Sequence, residues 1–396
     1  MKWMSRSSVV AVLLSACSFE APVLPGRDPG RDPGADAMGD PLDPDPPRAW
    51  LDGWARRKPI TLLASQIEAP GDGALADFPV LVSVTDPQLA AGAALPGGED
   101  IVFTAADGRT VLASEIESFV RTDNQLVAWV KVPSLSATTN TRLYVYYGNP
   151  SPPAPTPEAV WTADFLGVWH LHQNPGPGGA GEIRDATSAS RDGTAMNMES
   201  TDLVPARIGR GFTFNGADEY LDFAAMNVGD TFTISMWVQF AGVSSVRPLM
   251  SNSTLGGDTD GFRFFINSVN VLDRRIYFET GNGTTGSVDR AVTAPGAMPL
   301  NALTHLAVVV NRTAATATIF VNGAPATTDT SIRSDFRTDS DFELARLKDT
   351  FFHFPGILDE IRVSTALRSP EWIRTSVNNQ AQPRSFHTLD PEELAP

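Results

Sequence analysis

The chain has 396 residues, 42% of them hydrophobic, which is enough for two or three domains with sizeable cores. Lys and Arg number 30 against 46 Asp and Glu, a net charge of −16, and this argues against nucleic acid or an anionic membrane surface as partner, since both repel it. The single cysteine, Cys17, excludes an intrachain disulfide and a thiolate-rich zinc site.

At the N-terminus Lys2 and Arg6 precede an apolar run at 9–14 that is too short to span a bilayer, followed by Leu14-Ser15-Ala16-Cys17. This resembles the lipobox of bacterial lipoproteins, in which small residues precede a cysteine that is lipidated and becomes the new N-terminus. The resemblance implies a signal peptide over 1–17, lipidation of Cys17 and, with Ser18 rather than Asp next, an outer-membrane destination. An ordinary signal peptide with a chance cysteine is the alternative. Residues 18–49 carry GRDPGRDPG and DPLDPDPP with few large apolar side chains. Such a segment cannot bury enough surface to offset its ordering entropy and reads as an extended acidic tether. No later stretch has the length and apolarity of a transmembrane helix.

Between residues 50 and 150 short β patterns recur at 60–63, 78–84, 101–104, 111–116, 126–132 and 142–147. Phe78, Val80, Val82 and Val84 occupy every second position, and Leu143, Val145 and Tyr147 alternate with Tyr144 and Tyr146. Gly71-Asp72-Gly73, Pro96-Gly97-Gly98 and Asp107-Gly108 supply turns between them. The pattern is that of a β-sandwich. Trp54, Arg56-Arg57, Asp77 through Val82, Asp100 through Phe103, Glu115-Ile116-Glu117, Trp129 through Pro133 and Tyr146 through Asn149 follow in an order that resembles domain-of-unknown-function family 2341, which implies no activity. Asp100, Glu115 and Glu117 are candidate ligands or acid/base groups. The plainer reading has Asp100 capping a turn and the glutamates facing outward from one strand. Residues 151–158, SPPAPTPE, form a stiff Pro-rich connector.

Residues 159–389 read as a second β domain. Within 209–240, Phe212 and Phe214 alternate before an Asn215-Gly216 turn, and Phe232, Ile234, Met236, Val238 and Phe240 occupy every second position. Further strands are expected at 262–266, 275–279, 306–311, 316–321 and 356–363, with Asn322-Gly323 as a tight turn. Ser369-Pro370-Glu371 starts a short helix reaching about residue 378, which packs Trp372 and Ile373 on the sandwich. Trp169-His170-Leu171, Asp185, Gly211-Phe212, Phe214-Asn215-Gly216, Asp218-Glu219-Tyr220, Phe232 through Val238, His305-Leu306-Ala307, Phe320 through Gly323 and Gly356 through Val363 together resemble the laminin-G-like jelly roll of the concanavalin A-like lectin and glucanase superfamily. One departure is Leu303, where relatives often carry Trp. The expected fold class is therefore all-β, two sandwiches after a disordered tether, the second a jelly roll.

The resemblance implies calcium as a structural ion, with Asp359, Asp185 and Glu219 as ligands. Asp258-Thr259-Asp260-Gly261 imitates the start of a calcium loop but lacks the later acids. Sugars stack on aromatic faces, and Trp169, Trp237 and His353 are the expected ligand-binding residues, with Trp161, Phe351 and Phe352 also available. Large aromatics on a sandwich more often belong to its core. The E-x-D-x-x-E triplet of the glucanase branch, G-x-S-x-G and H-E-x-x-H are all missing, so no catalytic residue is assigned. His170 and His172 share a strand face and would bind a metal given a third ligand. The sequence thus points to a non-catalytic cell-envelope lipoprotein that binds a glycan or a cell-surface protein. A glycoside hydrolase or lyase with an unfamiliar site, and a subunit of a surface assembly, are the alternatives.

Overall fold

A computed structural model describes residues 50–176, 183–253, 259–348 and 350–396. Cys17, the tether and Asp258 lie outside the described residues. The fold is all-β, two sandwiches in tandem, as the alternating apolar positions require.

In the first sandwich one sheet runs, edge to edge, through His387–Leu389, Arg56–Leu62, Thr141–Tyr147, Val102–Ala105 and Val111–Leu112. The facing sheet runs through Ala74–Thr85, Gln125–Ser136 and Ser114–Val120. Phe78, Val80, Val82, Phe103, Ala128, Val130 and Val145 meet between them. The single strand expected at 111–116 is two, because the chain changes sheets at Ala113.

The second sandwich is built on the expected strand Thr231–Phe240, which lies between Pro355–Ser364 and Thr304–Asn311. Its sheet continues to Thr316–Val321 and Ala324–Asp329 on one side and to Arg210–Asn215 on the other, with Phe165–Trp169 also on Pro355–Ser364. Asn322 and Gly323, at φ +48° and +82°, make the tight turn before Ala324–Asp329. The facing sheet contains Val288–Val292, Ile276–Asn282, Asp260–Ile266, Arg247–Ser251, Phe342–Leu344 and Tyr220–Phe223. The Asn215-Gly216 turn therefore carries the chain from one sheet to the other instead of closing a hairpin. Phe232, Ile234, Met236, Val238 and Phe240 all enter the core with Phe262, Phe264 and Phe278.

The two sandwiches are joined twice. Leu81, Val127 and Trp129 on the outer face of the first pack with Val160, Trp161, Phe165, Val168 and Ile208. The second joint corrects the domain boundary at 389. The helix Pro370–Ala381, capped by Ser369 as expected, sets Ile373 against Ala307 and Phe320 but Trp372 against Phe78 of the first sandwich. Beyond it, Phe386 enters the first core, and His387–Leu389 and Glu393–Leu394 add to Arg56–Leu62. The chain's end thus completes the domain with which the described residues begin.

Candidate functional site

Two backbone irregularities bring acids to the junction. Pairing of Ser114–Val120 with Gln125–Ser136 shifts between Ile116 and Ser118, leaving Glu117 as an extra residue on the outer face. Pairing of Pro355–Ser364 with Thr231–Phe240 shifts between the partners of Ser235 and Trp237, and Glu360 there has φ +53°, an uncommon value for a residue with a side chain. Leu358 and Ile361 both enter the core, so the bulge turns Asp359 and Glu360 to the same outer side. A regular strand would send one of them inward.

His170 stands between these acids. Its Nδ1 is 2.7 Å from Glu360 Oε1 and 3.7 Å from Glu117 Oε2, and its Nε2 is 3.4 Å from Glu115 Oε2. Every acid is held by a donor of its own. Trp129 Nε1 donates to Glu117 Oε2 at 2.8 Å, Trp161 Nε1 to Glu115 Oε2 at 2.8 Å, and Arg362 Nη2 to Glu360 Oε2 at 2.7 Å. The Arg362 guanidinium also lies 4.2 Å from the centre of the Trp129 ring. Burial, followed by the charge of Glu360, pushes Glu117 up to about 8. Burial works against a charged His170, yet Glu360 and Glu115 outweigh it and hold the imidazole well above its usual range. Burial likewise opposes the Glu360 charge, and His170 and Arg362 overcome it, leaving that carboxyl below its usual range. The centre is an ion-paired His170 with a protonated Glu117 beside it near neutral pH. A cleft of about 570 Å³ opens alongside, lined by Glu115, Glu158, His170, His172, Arg184 and Asp185. Burial, then the His170 charge, brings His172 down to about 4.

The structure does not gather the three expected calcium ligands. Asp185 accepts from the backbone amides of Val168, Thr187 and Arg191 and from the Thr187 hydroxyl, which fills its acceptor sites with loop contacts. Glu219 accepts the Asn215 amide at 2.6 Å and holds the turn. Asp359 accepts the Arg207 and Ile208 amides, both at 2.9 Å, and its Oδ1 is buried without a partner. Among the described residues, the His, Asp and Glu whose ligand atoms converge within 4.8 Å are Glu117, His170 and Glu360, not these. Asp260 is paired with Arg337. Asp100, fully buried, caps the turn at Ala94 and Leu95 and accepts the Gly148 amide.

The expected stacking residues are committed elsewhere. Trp169 is in the second core against Phe223 and Phe342. Trp237 sits on the outer side of its sheet but 2% exposed, its Nε1 donating to Gln380 on the helix and its ring under Arg207. His353 is buried beside Tyr220. Phe351, by contrast, is 82% exposed.

A second cleft of about 450 Å³ on the outer face of the facing sheet is lined by Phe352, one of the aromatics the sequence offered, and otherwise by residues that sequence reasoning did not single out. Phe264, Ile266, Ile276 and Phe278 point into the core, so Arg263, Phe265, Tyr277 and Glu279 point out. Phe265 and Tyr277 are directly paired across strands, their rings stacked at 4.9 Å and 1°. Arg263, Glu279 and Arg290 form the adjoining row, with Arg290 Nε donating to Glu279 Oε2. The signal was the alternation at 262–266 and 275–279, which fixes both faces at once.

These features define a tandem β-sandwich protein whose second module is a jelly roll. Residues 215–374 match the family described as the concanavalin A-like lectin/glucanases superfamily, and residues 97–165 match the domain of unknown function DUF2341. Similar solved structures include the binding domain of Paraclostridial Mosquitocidal Protein 1, at 12% identity and TM-score 0.42, covering 54% of this chain and 52% of that one. The receptor binding domain of botulinum neurotoxin C/D mosaic serotype gives 10% and 0.42, covering 55% and 51%. The botulinum neurotoxin serotype D ligand binding domain in complex with N-acetylneuraminic acid gives 8% and 0.41, covering 55% and 51%. The chain spans about half the length of these structures. No curated protein matches the chain.

Proposed function

We propose that this protein is a non-catalytic, lipid-anchored component of a bacterial cell envelope that binds a carbohydrate on the outer face of its second sandwich. The observation that carries the reading is the row Phe265–Tyr277 beside the row Arg263–Glu279–Arg290, lining one cleft. Of these residues Tyr277 is half-buried and Arg290 exposed, so these two present an aromatic ring and a charged donor to a sugar, for its C–H groups and its hydroxyls. Phe265, Arg263 and Glu279 are buried beneath them and hold them in place. The match of residues 215–374 to a lectin-containing superfamily supports the same class of ligand. A glycan array followed by calorimetry tests it. Tyr277→Ala is expected to weaken binding about tenfold, the loss of roughly 1.4 kcal/mol of stacking. Because Asp185, Glu219 and Asp359 form no set, affinity is expected to be equal with and without added calcium. Binding to no glycan sinks the reading, as does turnover of a polysaccharide that one carboxylate substitution abolishes. Labelling with radioactive palmitate, lost in Cys17→Ala, tests the anchor.

A further inference from the structure

We propose that Glu117, His170 and Glu360 bind a divalent first-row transition metal ion, zinc or manganese, at the junction of the two sandwiches. The site is separate from the glycan cleft and does not depend on it.

The donor set is one imidazole nitrogen and two carboxylates, a mixture that suits zinc, manganese or iron and differs from the all-oxygen shell of calcium. Their spacing fits a small ion. The edges of a tetrahedron with bonds of about 2.0–2.2 Å are about 3.4 Å long. His170 Nδ1 lies 2.7 Å from Glu360 Oε1 and 3.7 Å from Glu117 Oε2, values that bracket it. Shifts of well under an ångström convert one arrangement into the other. The ion takes the place of the proton now lying between His170 and Glu360.

Two further observations point to a ligand. Glu117 is 1% exposed at its side chain, and its Oε1 has no hydrogen-bond partner. A buried carboxylate oxygen left bare in a polar centre is costly unless something occupies it. The outer contacts are also those that metal-binding histidines and carboxylates use. His170 turns its other nitrogen toward Glu115, which Trp161 fixes, while Trp129 fixes Glu117 and Arg362 fixes Glu360. Arg362 takes Glu360 Oε2 and leaves its Oε1 for the ion, while Glu117 Oε2, the oxygen 3.7 Å from Nδ1, accepts one N–H from Trp129 and keeps a second lone pair. The cleft lined by His170 and His172 is the route in from solvent. Because Glu117 belongs to the first sandwich and the other two to the second, the ion ties the domains together.

The test uses the full chain, stripped with chelator and titrated with zinc chloride, manganese chloride and cobalt chloride. Expected are one ion per chain by elemental analysis, a Tm that climbs with metal concentration, and the visible absorption of tetrahedral cobalt(II). Glu117→Gln and His170→Gln are each expected to weaken uptake by at least tenfold, roughly what removing even an outer contact does. No stoichiometric uptake of any of the three ions overturns the proposal, as does uptake that both substitutions leave unchanged. If the variants do not fold, X-ray absorption of the cobalt-loaded wild-type chain decides. Mixed nitrogen and oxygen ligation supports the site, and an all-oxygen octahedral shell overturns it.

Discussion

Asp359 shows what a buried acid is for when it is not a ligand. It sits on the last long strand, fully buried, and spends one oxygen on the amides of Arg207 and Ile208 while the other has no partner. Burial, then the charge of Glu360, holds its carboxyl well above the usual range. Its value to the fold therefore lies in one acceptor oxygen and not in its charge. Asp359→Asn keeps that acceptor and removes a group reluctant to ionise, whereas Asp359→Ala strands two buried amides. Urea denaturation is expected to show about 2–3 kcal/mol lost for the alanine variant and less than half of that for asparagine. Equal losses would mean that the charge itself matters. Trp169 and Trp237 follow the same logic with apolar surface. A tryptophan on a sandwich strand is more often packed than open, and here both are, one under the facing sheet and one under a helix.

At the scale of elements, the period of two made the strands legible. Phe78 to Val84 and Phe232 to Phe240 announced strands, and both are where the alternation put them, the first at the edge of its sheet and the second in the middle. Short edge strands such as Thr194–Met196 and Leu203–Pro205 were silent, because three residues carry no period. The C-terminal strand His387–Leu389 was silent for another reason: it belongs to a sheet more than three hundred residues away in the chain, on Arg56–Leu62. Its His387 is 4% exposed, neither ring nitrogen has a partner, and burial lowers it to about 4. The unfolded chain takes up that proton below about 6.5 and the folded one only below about 4, so the unfolded state binds more protons in between. Stability from this group is complete above pH 6.5 and is lost as pH falls toward 4, to the extent of about 3 kcal/mol. The strand His387–Leu389 is therefore expected to loosen in acid before the rest of either sandwich does. Hydrogen exchange should show protection at 60–62 and 387–389 falling between pH 7 and pH 4 while that of Thr231–Phe240 persists. His387→Leu should abolish the difference, and protection independent of pH in the wild-type chain would contradict the account.

At the scale of the whole molecule, the sandwiches were legible separately and their union was not. The pairs Glu115/Glu117 and His170/His172 each stood out in sequence, but nothing local says that residues of two domains converge, and His170 and Glu360 are 190 positions apart. The helix Pro370–Ala381 is the main tie. Asn379 bonds both the amide and the carbonyl of Leu81, at 2.6 and 2.9 Å, and so satisfies the outer edge of Ala74–Thr85. Thr375 does the same for Glu68. Phe386, fully buried, then fills the first core, and its replacement by Ala is expected to cost about 3–5 kcal/mol. Since the same segment covers Ala307 and Phe320 of the second sandwich, neither domain keeps its packing when the other lets go of the helix. Calorimetry of residues 50–396 should accordingly give one transition whose van't Hoff and calorimetric enthalpies agree. A chain ending at residue 368 should separate into two transitions, with the first sandwich the less stable because it has lost an edge strand and a core phenylalanine. Two transitions in the intact chain would mean that the helix merely rests on a neighbour it does not hold.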